Sequence, residues 1–212
     1  LLAAEGRIVR GRSRGSWVSG QYRWSVADAW LPDGLPEWSL QDAQTELVRR
    51  WLAGFGPATI ADVKWWTGLP MGQVRRAVAA AGAVEVDLDG TPGLVLADDL
   101  DPVPPPTPWA ALLPALDPTT MGWAGRDFYL GPHRPILFDR NGNAGPTIWW
   151  DGHVVGGWAQ RPTGEVVLRL LEDVGADARA AIEAEAARLT DWLGPLRVTP
   201  RFRTPLEREL VA

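Results

Sequence analysis

"FGPATIADVKWWTGLPMGQVRRAVAAAG", residues 55–82, decides the fold. Thr59 followed three residues later by Asp62 has the form of a capping box, so a helix opens here, runs through Trp65 and Trp66, and stops at Gly68. Pro70 starts another, with Val74, Ala77, Val78 and Ala81 at helical spacing and Gly82 as its stop. Two short helices around Gly68-Leu69-Pro70 have the shape of a helix-turn-helix.

The flanks extend that shape. Upstream, Ser39 caps a helix reaching about Ala53, with Leu40, Ala43, Leu47 and Leu52 on its inner side, Glu46 and Arg50 paired outside, and Gly54 and Gly56 ending it. Downstream, "AVEVDLDGTPGLVLADD" alternates as two short strands around an Asp89-Gly90 turn. Three helices and a hairpin make a winged helix.

The ending of that unit occurs once earlier. Aligning Gly6 with Gly82 sets "LAAEGRIVRG" over "VAAAGAVEVD": a helix end, a glycine stop and the first strand of a wing. "SWVSGQYRW", with Trp17, then supplies the second strand. The chain is thus expected to begin inside the last helix of a preceding, truncated winged helix and to be a fragment of a longer protein. Beyond the Pro-rich connector "LDPVPPPTPW", the segments "RPILFD", "PTIWWD", "HVVGGWAQ" and "EVVLRLLED" read as strands of an antiparallel meander. A helix from about Ala176 to Leu193 covers it, and "LRVTPRF" adds a last strand. The expected class is α+β. Its parts are the end of a winged helix at 1–34, a winged-helix domain at 35–100, and a β-rich unit with one covering helix at 101–212.

Composition bounds the chemistry. The 212 residues contain no cysteine and only two histidines, His133 and His153, so neither a disulfide framework nor a metal centre is expected. No run approaches the roughly 20 apolar residues of a membrane span, and the first residues lack a signal-peptide core, so a soluble cytoplasmic protein is expected, nucleoid-associated if it binds DNA. The net charge of −5 argues against a protein that coats nucleic acid nonspecifically. Its distribution is uneven. Residues 1–34 carry five arginines against three acids, whereas both later segments are net acidic.

Several groups could carry function. In the third helix of the winged helix Gln73, Arg75, Arg76, Ala79 and Ala80 are left outside, a poor set for reading base edges, which needs several long polar side chains. Arg75 and Arg76 fit backbone contact, and the helix fits a structural role equally. Arg7, Arg10, Arg12 and Arg14 with Trp17, Tyr22 and Trp24 combine phosphate-seeking charge with stacking surface. Alternation turns some of those rings inward, and a solvated hairpin whose aromatics pack on the next domain explains the same pattern. Most of the 13 tryptophans read as core and interdomain anchors, with the Trp65-Trp66 and Trp149-Trp150 rings turned in different directions. The polar turn "DRNGNAG", residues 139–145, places Arg140, Asn141 and Asn143, near His133 and Arg134, where they could meet a phosphate or base edge. Tight turns are also made of such residues. Asp127, Asp139 and Asp151 near the histidines allow an acid/base pair to be drawn, though no spacing enforces it.

Taken together, "GPATIADVKWWTGL", "LLPALDPTTMGWAGRDFYLG" (112–131) and "FDRNGNAGPTIWWDGHVVGGWAQRPTGEVVLRLLEDVG" resemble the actinobacterial winged-helix DNA-binding-domain proteins related to the crosslink-repair DNA glycosylases of the azinomycin-resistance type. The resemblance covers essentially the whole chain and includes a Leu-Leu-Pro-x-x-Asp element, here Leu112, Leu113, Pro114 and Asp117. It implies tandem winged helices in an open C shape closed by a β-rich unit, acting on N7-alkylated purines. In that family a glutamine–hydrophobic–glutamine or –aspartate motif manages the water and a β-hairpin sits near the lesion, a role that the resemblance carries over, by position in the meander, to Arg140, Asn141 and Asn143. None of Gln21, Gln41, Gln44, Gln73 or Gln160 begins such a motif, so no catalytic residue is assigned to this chain. The expected partner is duplex DNA, intact or damaged, bound by a monomer without cofactor. The alternative is a protein-interaction or transcription-regulatory scaffold without catalysis, and a third is an enzyme built around His133 and His153.

Overall fold

The computed structural model describes residues 1–15, 19–200 and 202–212, in two compact units, Leu1–Ala43 and Gln44–Ala212. In the first, β1 (Ile8–Ser13) pairs antiparallel with β2 (Tyr22–Val26), with a register shift between Arg10 and Ser13, and α1 (Ala27–Trp30) follows. Gly6 stops the chain ahead of β1 at φ +69°, as Gly82 does ahead of the second hairpin at φ +70°. Their N–H groups donate to Ala3 and Ala79 at 3.2 Å each. Residues 2–6 form a single turn rather than a longer helix. Trp17 lies outside the described residues.

In the winged helix, α2 (Leu40–Phe55), α3 (Ile60–Thr67) and α4 (Met71–Ala80) precede the hairpin of β3 (Ala83–Leu88) and β4 (Thr91–Leu96). Ser39 caps α2 by accepting from the Asp42 N–H. The inner side of α2 differs from the expectation. Val48, Trp51 and Leu52 are buried with Val63, Val74, Ala77 and Val78, while Leu40 and Leu47 are exposed. The apolar positions allow two phases one residue apart, and the one that buries Trp51 removes more apolar surface from water. Gly54 is helical, and the helix breaks at Gly56. Glu46 holds both Arg49 and Arg50, and these contacts lower its pKa to about 2. The β3–β4 ladder closes on Asp89 and Gly90, both at positive φ, as a two-residue hairpin requires.

The remaining chain contributes β5 (Ala110–Leu113), α5 (Pro118–Met121), α6 (Asp127–Leu130) and α7 (Arg134–Leu137). After these come β6 (Thr147–Trp150), β7 (His153–Gln160), β8 (Val166–Leu170), α8 (Gly175–Leu193) and α9 (Pro205–Val211). The sheet is antiparallel in the order β5-β6-β7-β8. Ile148 and Val155 pack with Ile182 of α8. Trp149 and Val154 belong to a second cluster with Tyr129, Leu137 and Leu206, so helices cover the sheet from both sides rather than one helix from one side.

Three expectations are corrected here. "RPILFD" is a helical turn, not a strand: Pro135 suits the first helical turn, and only Phe138 is extended, bridging to Ala144. A short apolar run does not distinguish the two states by itself. "LRVTPRF" forms no strand among its described residues; Arg201 lies outside them. The Gln160 side chain takes the bonds a ladder would, donating to Leu196 O at 2.9 Å and accepting from Val198 N at 2.9 Å. Most of the described tryptophans are not core, although Trp123, Trp150 and Trp158 pack half-buried against the core clusters. Trp51 and Trp149 are buried, whereas Trp24, Trp30, Trp38, Trp65, Trp66, Trp109 and Trp192 are exposed.

The winged helix and the sheet within the second unit are joined by Asp62, buried at 5% exposure. One oxygen completes the capping box with Thr59, and the other accepts from Ala124 N (2.8 Å) and Gly125 N (3.1 Å). A relay of rings runs alongside. Trp51 stacks on Phe55, Phe55 meets Trp123 edge-on, Trp123 tilts against Tyr129, and Tyr129 stacks on Trp149. Trp123 Nε1 also donates to Phe55 O at 3.0 Å.

Candidate nucleic-acid interface

The first hairpin presents its arginines to solvent. In β1 the exposed positions are Arg10 and Arg12, with Ile8, Val9, Gly11 and Ser13 half-buried. Arg7 and Arg14 are exposed at its two ends. Arg7 reaches Glu5 only at 4.0 Å, and Arg10 lies over the Tyr22 ring at 4.3 Å. Tyr22 and Trp24, the described rings of this hairpin, are both exposed. Arg10 and Trp24 are directly opposite in the register. A guanidinium resting on a ring keeps its in-plane donors available, a geometry that suits phosphate beside a stacked base.

The second hairpin has the same alternation of half-buried and exposed positions and the opposite charge. Where β1 exposes Arg10 and Arg12, β3 exposes Glu85 and Asp87. On α4, Arg75 and Arg76 are exposed, followed by Ala79 and Ala80. Gln73 is half-buried and accepts from Gln44 Nε2 at 2.8 Å, a bond that ties α4 to α2 and removes it from the outward set.

The 139–145 turn is built around Asp139. Its Oδ1 accepts from the Asn141 and Asn143 amides at 2.8 and 2.9 Å, and its Oδ2 accepts from Asn143 Nδ2 at 3.0 Å. The Asn143 bonds, with that of Asn141, hold the Asp139 carboxyl below its usual range. Asn143 therefore shapes the turn, while Arg140 and Asn141 are exposed. Both line a cleft together with Arg134 and two residues the sequence reading did not single out, Arg203 and Arg208.

The histidines do not assemble with the aspartates. His133 Nε2 faces Glu172 Oε2 at 3.3 Å, and His153 Nδ1 lies 3.2 Å from the backbone oxygen of Asp151. Among the described residues, no group of three or more histidine, aspartate or glutamate side chains could hold a metal ion. No described helix is long and apolar enough to cross a membrane.

The buried Asp62 and Arg126, which tie the winged helix to the segment after β5, are not singled out in that role by the sequence. Arg126 is buried, donates Nε to Trp123 O at 2.6 Å, and lies over the rings of Trp65 and Phe138. Burial lowers its pKa. Asp62 is legible in the sequence only as the N3 partner of the Thr59 capping box, because its second oxygen bonds residues more than sixty positions away.

Residues 1–192 match the profile of a protein family described as "DNA glycosylase AlkZ-like". Among curated proteins none matches. The solved structure of Streptomyces sahachiroi DNA glycosylase AlkZ is similar in fold, with a TM-score of 0.72 at 23% sequence identity over 90% of this chain and 53% of that one. The chain thus spans about half the length of that protein.

Proposed function

The chain belongs to the AlkZ-like DNA glycosylase family, and on that premise we propose that it is the DNA-holding scaffold of a glycosylase-like protein acting on alkylated or crosslinked purines. The observation that carries this is the first hairpin. Arg7, Arg10, Arg12 and Arg14 are exposed along one strand and its ends, with Arg10 seated on Tyr22. In this reading the hairpin is the wing of a preceding winged helix, and its guanidinium groups take duplex phosphates as charge-assisted donors. Arg75 and Arg76 add backbone contacts from α4. Arg140 and Asn141 approach a groove on a turn that Asn143 and Asp139 hold in shape.

The chemistry in such a protein is hydrolysis of an N-glycosidic bond, where alkylation makes the base cationic and so a better leaving group. None of this chain's glutamines begins a glutamine–hydrophobic–glutamine or –aspartate sequence. The proposal therefore gives this chain the holding of DNA and places the management of water on other residues. The complex is one protein copy on a duplex, intact or damaged, in the cytoplasm and at the nucleoid.

The test is a fluorescence-anisotropy titration of a labelled duplex at about 50 and about 200 mM salt, where four phosphate contacts contribute a slope of roughly −3.6. Salt-sensitive binding that flattens in the Arg7→Ala, Arg10→Ala, Arg12→Ala, Arg14→Ala variant supports the assignment. Binding whose slope survives all four substitutions sinks it.

A further inference from the structure

The family match ends at residue 192, yet the chain beyond it is a built part of the second unit. Thr204, Leu206 and Glu207 are buried. Thr204 and Glu207 form a capping box that opens α9. Gly145 and Gly157 leave no room for a Cβ where Thr204 and Leu206 seat against them. This anchoring fixes Arg203, directly before the cap, and Arg208, one helical turn beyond it.

Both face the 139–145 turn across a cleft of about 1090 Å³, which Arg134 and Arg140 line from the other side. The cleft therefore gathers four arginines from two separate stretches of chain. None of the four is in an ion pair among the described residues, whereas Arg49, Arg50, Arg161, Arg169 and Arg188 all have carboxylate partners. The nearby acids are occupied. Asp139 closes its own turn, Glu207 caps α9, and Glu209 pairs with Arg169. Arg134 lies over the Phe138 ring at 5.7 Å, which Arg126 also covers at 5.2 Å, and Arg208 Nη2 donates to Arg203 O at 2.9 Å. The Asp139 carboxylate also lines the cleft and is attracted to Arg140, but its oxygens are bonded within its own turn, so four guanidinium groups without an ion pair among the described residues share this cleft, and their planar donors match phosphate.

We propose that this cleft is a phosphate-holding site for the backbone of a nucleic-acid strand, to which the C-terminal segment contributes Arg203 and Arg208. It rests on the reading that the chain binds DNA, and it adds a second grip, distinct from the arginines of the first hairpin, in which Arg134 and Arg140 lie within the family match and Arg203 and Arg208 beyond it. The cleft is larger than one phosphate needs, which favours consecutive phosphodiesters over a single small anion.

The experiment compares the whole chain with its Arg203→Ala, Arg208→Ala variant in duplex titrations over a range of salt, with an Arg203→Lys, Arg208→Lys variant as charge-conserving control and thermal melts to verify folding. Inorganic pyrophosphate is titrated in parallel while the arginine side-chain signals are followed by NMR. The expected result is a salt slope smaller by about two in the alanine variant and largely restored by lysine, with only weak binding of pyrophosphate. An unchanged slope, with the parent chain still binding duplex, overturns this site and leaves the first-hairpin reading standing. A parent chain that binds no duplex overturns the reading itself. Tight pyrophosphate binding at the cleft then assigns it to a small phosphorylated ligand instead of a nucleic acid, and no binding of either probe removes the site altogether.

Discussion

The two β-hairpins share a local design and differ in charge. Each follows a glycine in the left-handed region whose N–H closes on an alanine carbonyl three residues back. Each has a first strand with the same order of half-buried and exposed positions. The exposed positions hold Arg10 and Arg12 in one and Glu85 and Asp87 in the other. The half-buried pattern is what a hairpin needs to pack, and it tolerates any polar residue outside. Charge is free to vary there, and that freedom is where function is written. A hairpin carrying carboxylates repels a phosphate backbone, so of the two hairpins the first is the one proposed to hold DNA.

The largest expected effect concerns what holds the second hairpin's winged helix in place. Asp62→Ala removes the N3 half of the capping box that Thr59 opens and leaves the amides of Ala124 and Gly125 without their acceptor, which should cost about 4 kcal/mol in a denaturant melt. A loss below about 1 kcal/mol would show that the ring relay through Trp123 suffices alone. Next comes the charge contrast itself. Replacing Arg7, Arg10, Arg12 and Arg14 by alanine should abolish roughly a 150-fold dependence of duplex affinity on salt between about 50 and 200 mM. Glu85→Ala with Asp87→Ala should lose no affinity, and an equal loss in both variants would erase the distinction between the hairpins.

The glycine stops provide a smaller effect. Gly82→Ala meets open space and should cost about 1 kcal/mol for its left-handed backbone. Gly6→Ala should cost about 1 kcal/mol more, since its Cβ meets Leu35 Cδ1 at 2.8 Å. Equal melting shifts would contradict that packing. The smallest effect is in the 139–145 turn. The folded-state pKa of Asp139 is depressed, so the ordering it gives is fully present above the ordinary value of 3.8 and is lost as pH falls through the lowered one. The Asn141 and Asn143 amide resonances should titrate together with a midpoint below 3.8, and a midpoint at or above it would show that the carboxylate bonds do not persist in solution.

Features set by neighbours in sequence were legible. Thr59 and Asp62 announce a capping box, Gly68 and Gly82 announce stops, and Asp89-Gly90 announces a hairpin, because each is decided within a few residues. The inner phase of α2 was ambiguous by one position until Trp51 had a core to enter. "RPILFD" and "LRVTPRF" have strand composition, yet a proline in a first helical turn and the Gln160 side chain decide their state. Of the candidate interface, the arginine-rich hairpin was visible as composition. The partners that occupy Gln73 and Asn143 were not, nor was the meeting of Arg203 and Arg208 with the 139–145 turn across more than sixty residues.

The first hairpin, and not the second, is proposed as the surface that meets DNA. Residue-resolved amide NMR on addition of a short duplex at low salt tests it directly. Shifts that grow with duplex are expected among the described residues of 7–14 and 22–24, while Glu85 and Asp87 stay still. Shifts confined to the second hairpin, or a spectrum that duplex leaves unchanged, would contradict it.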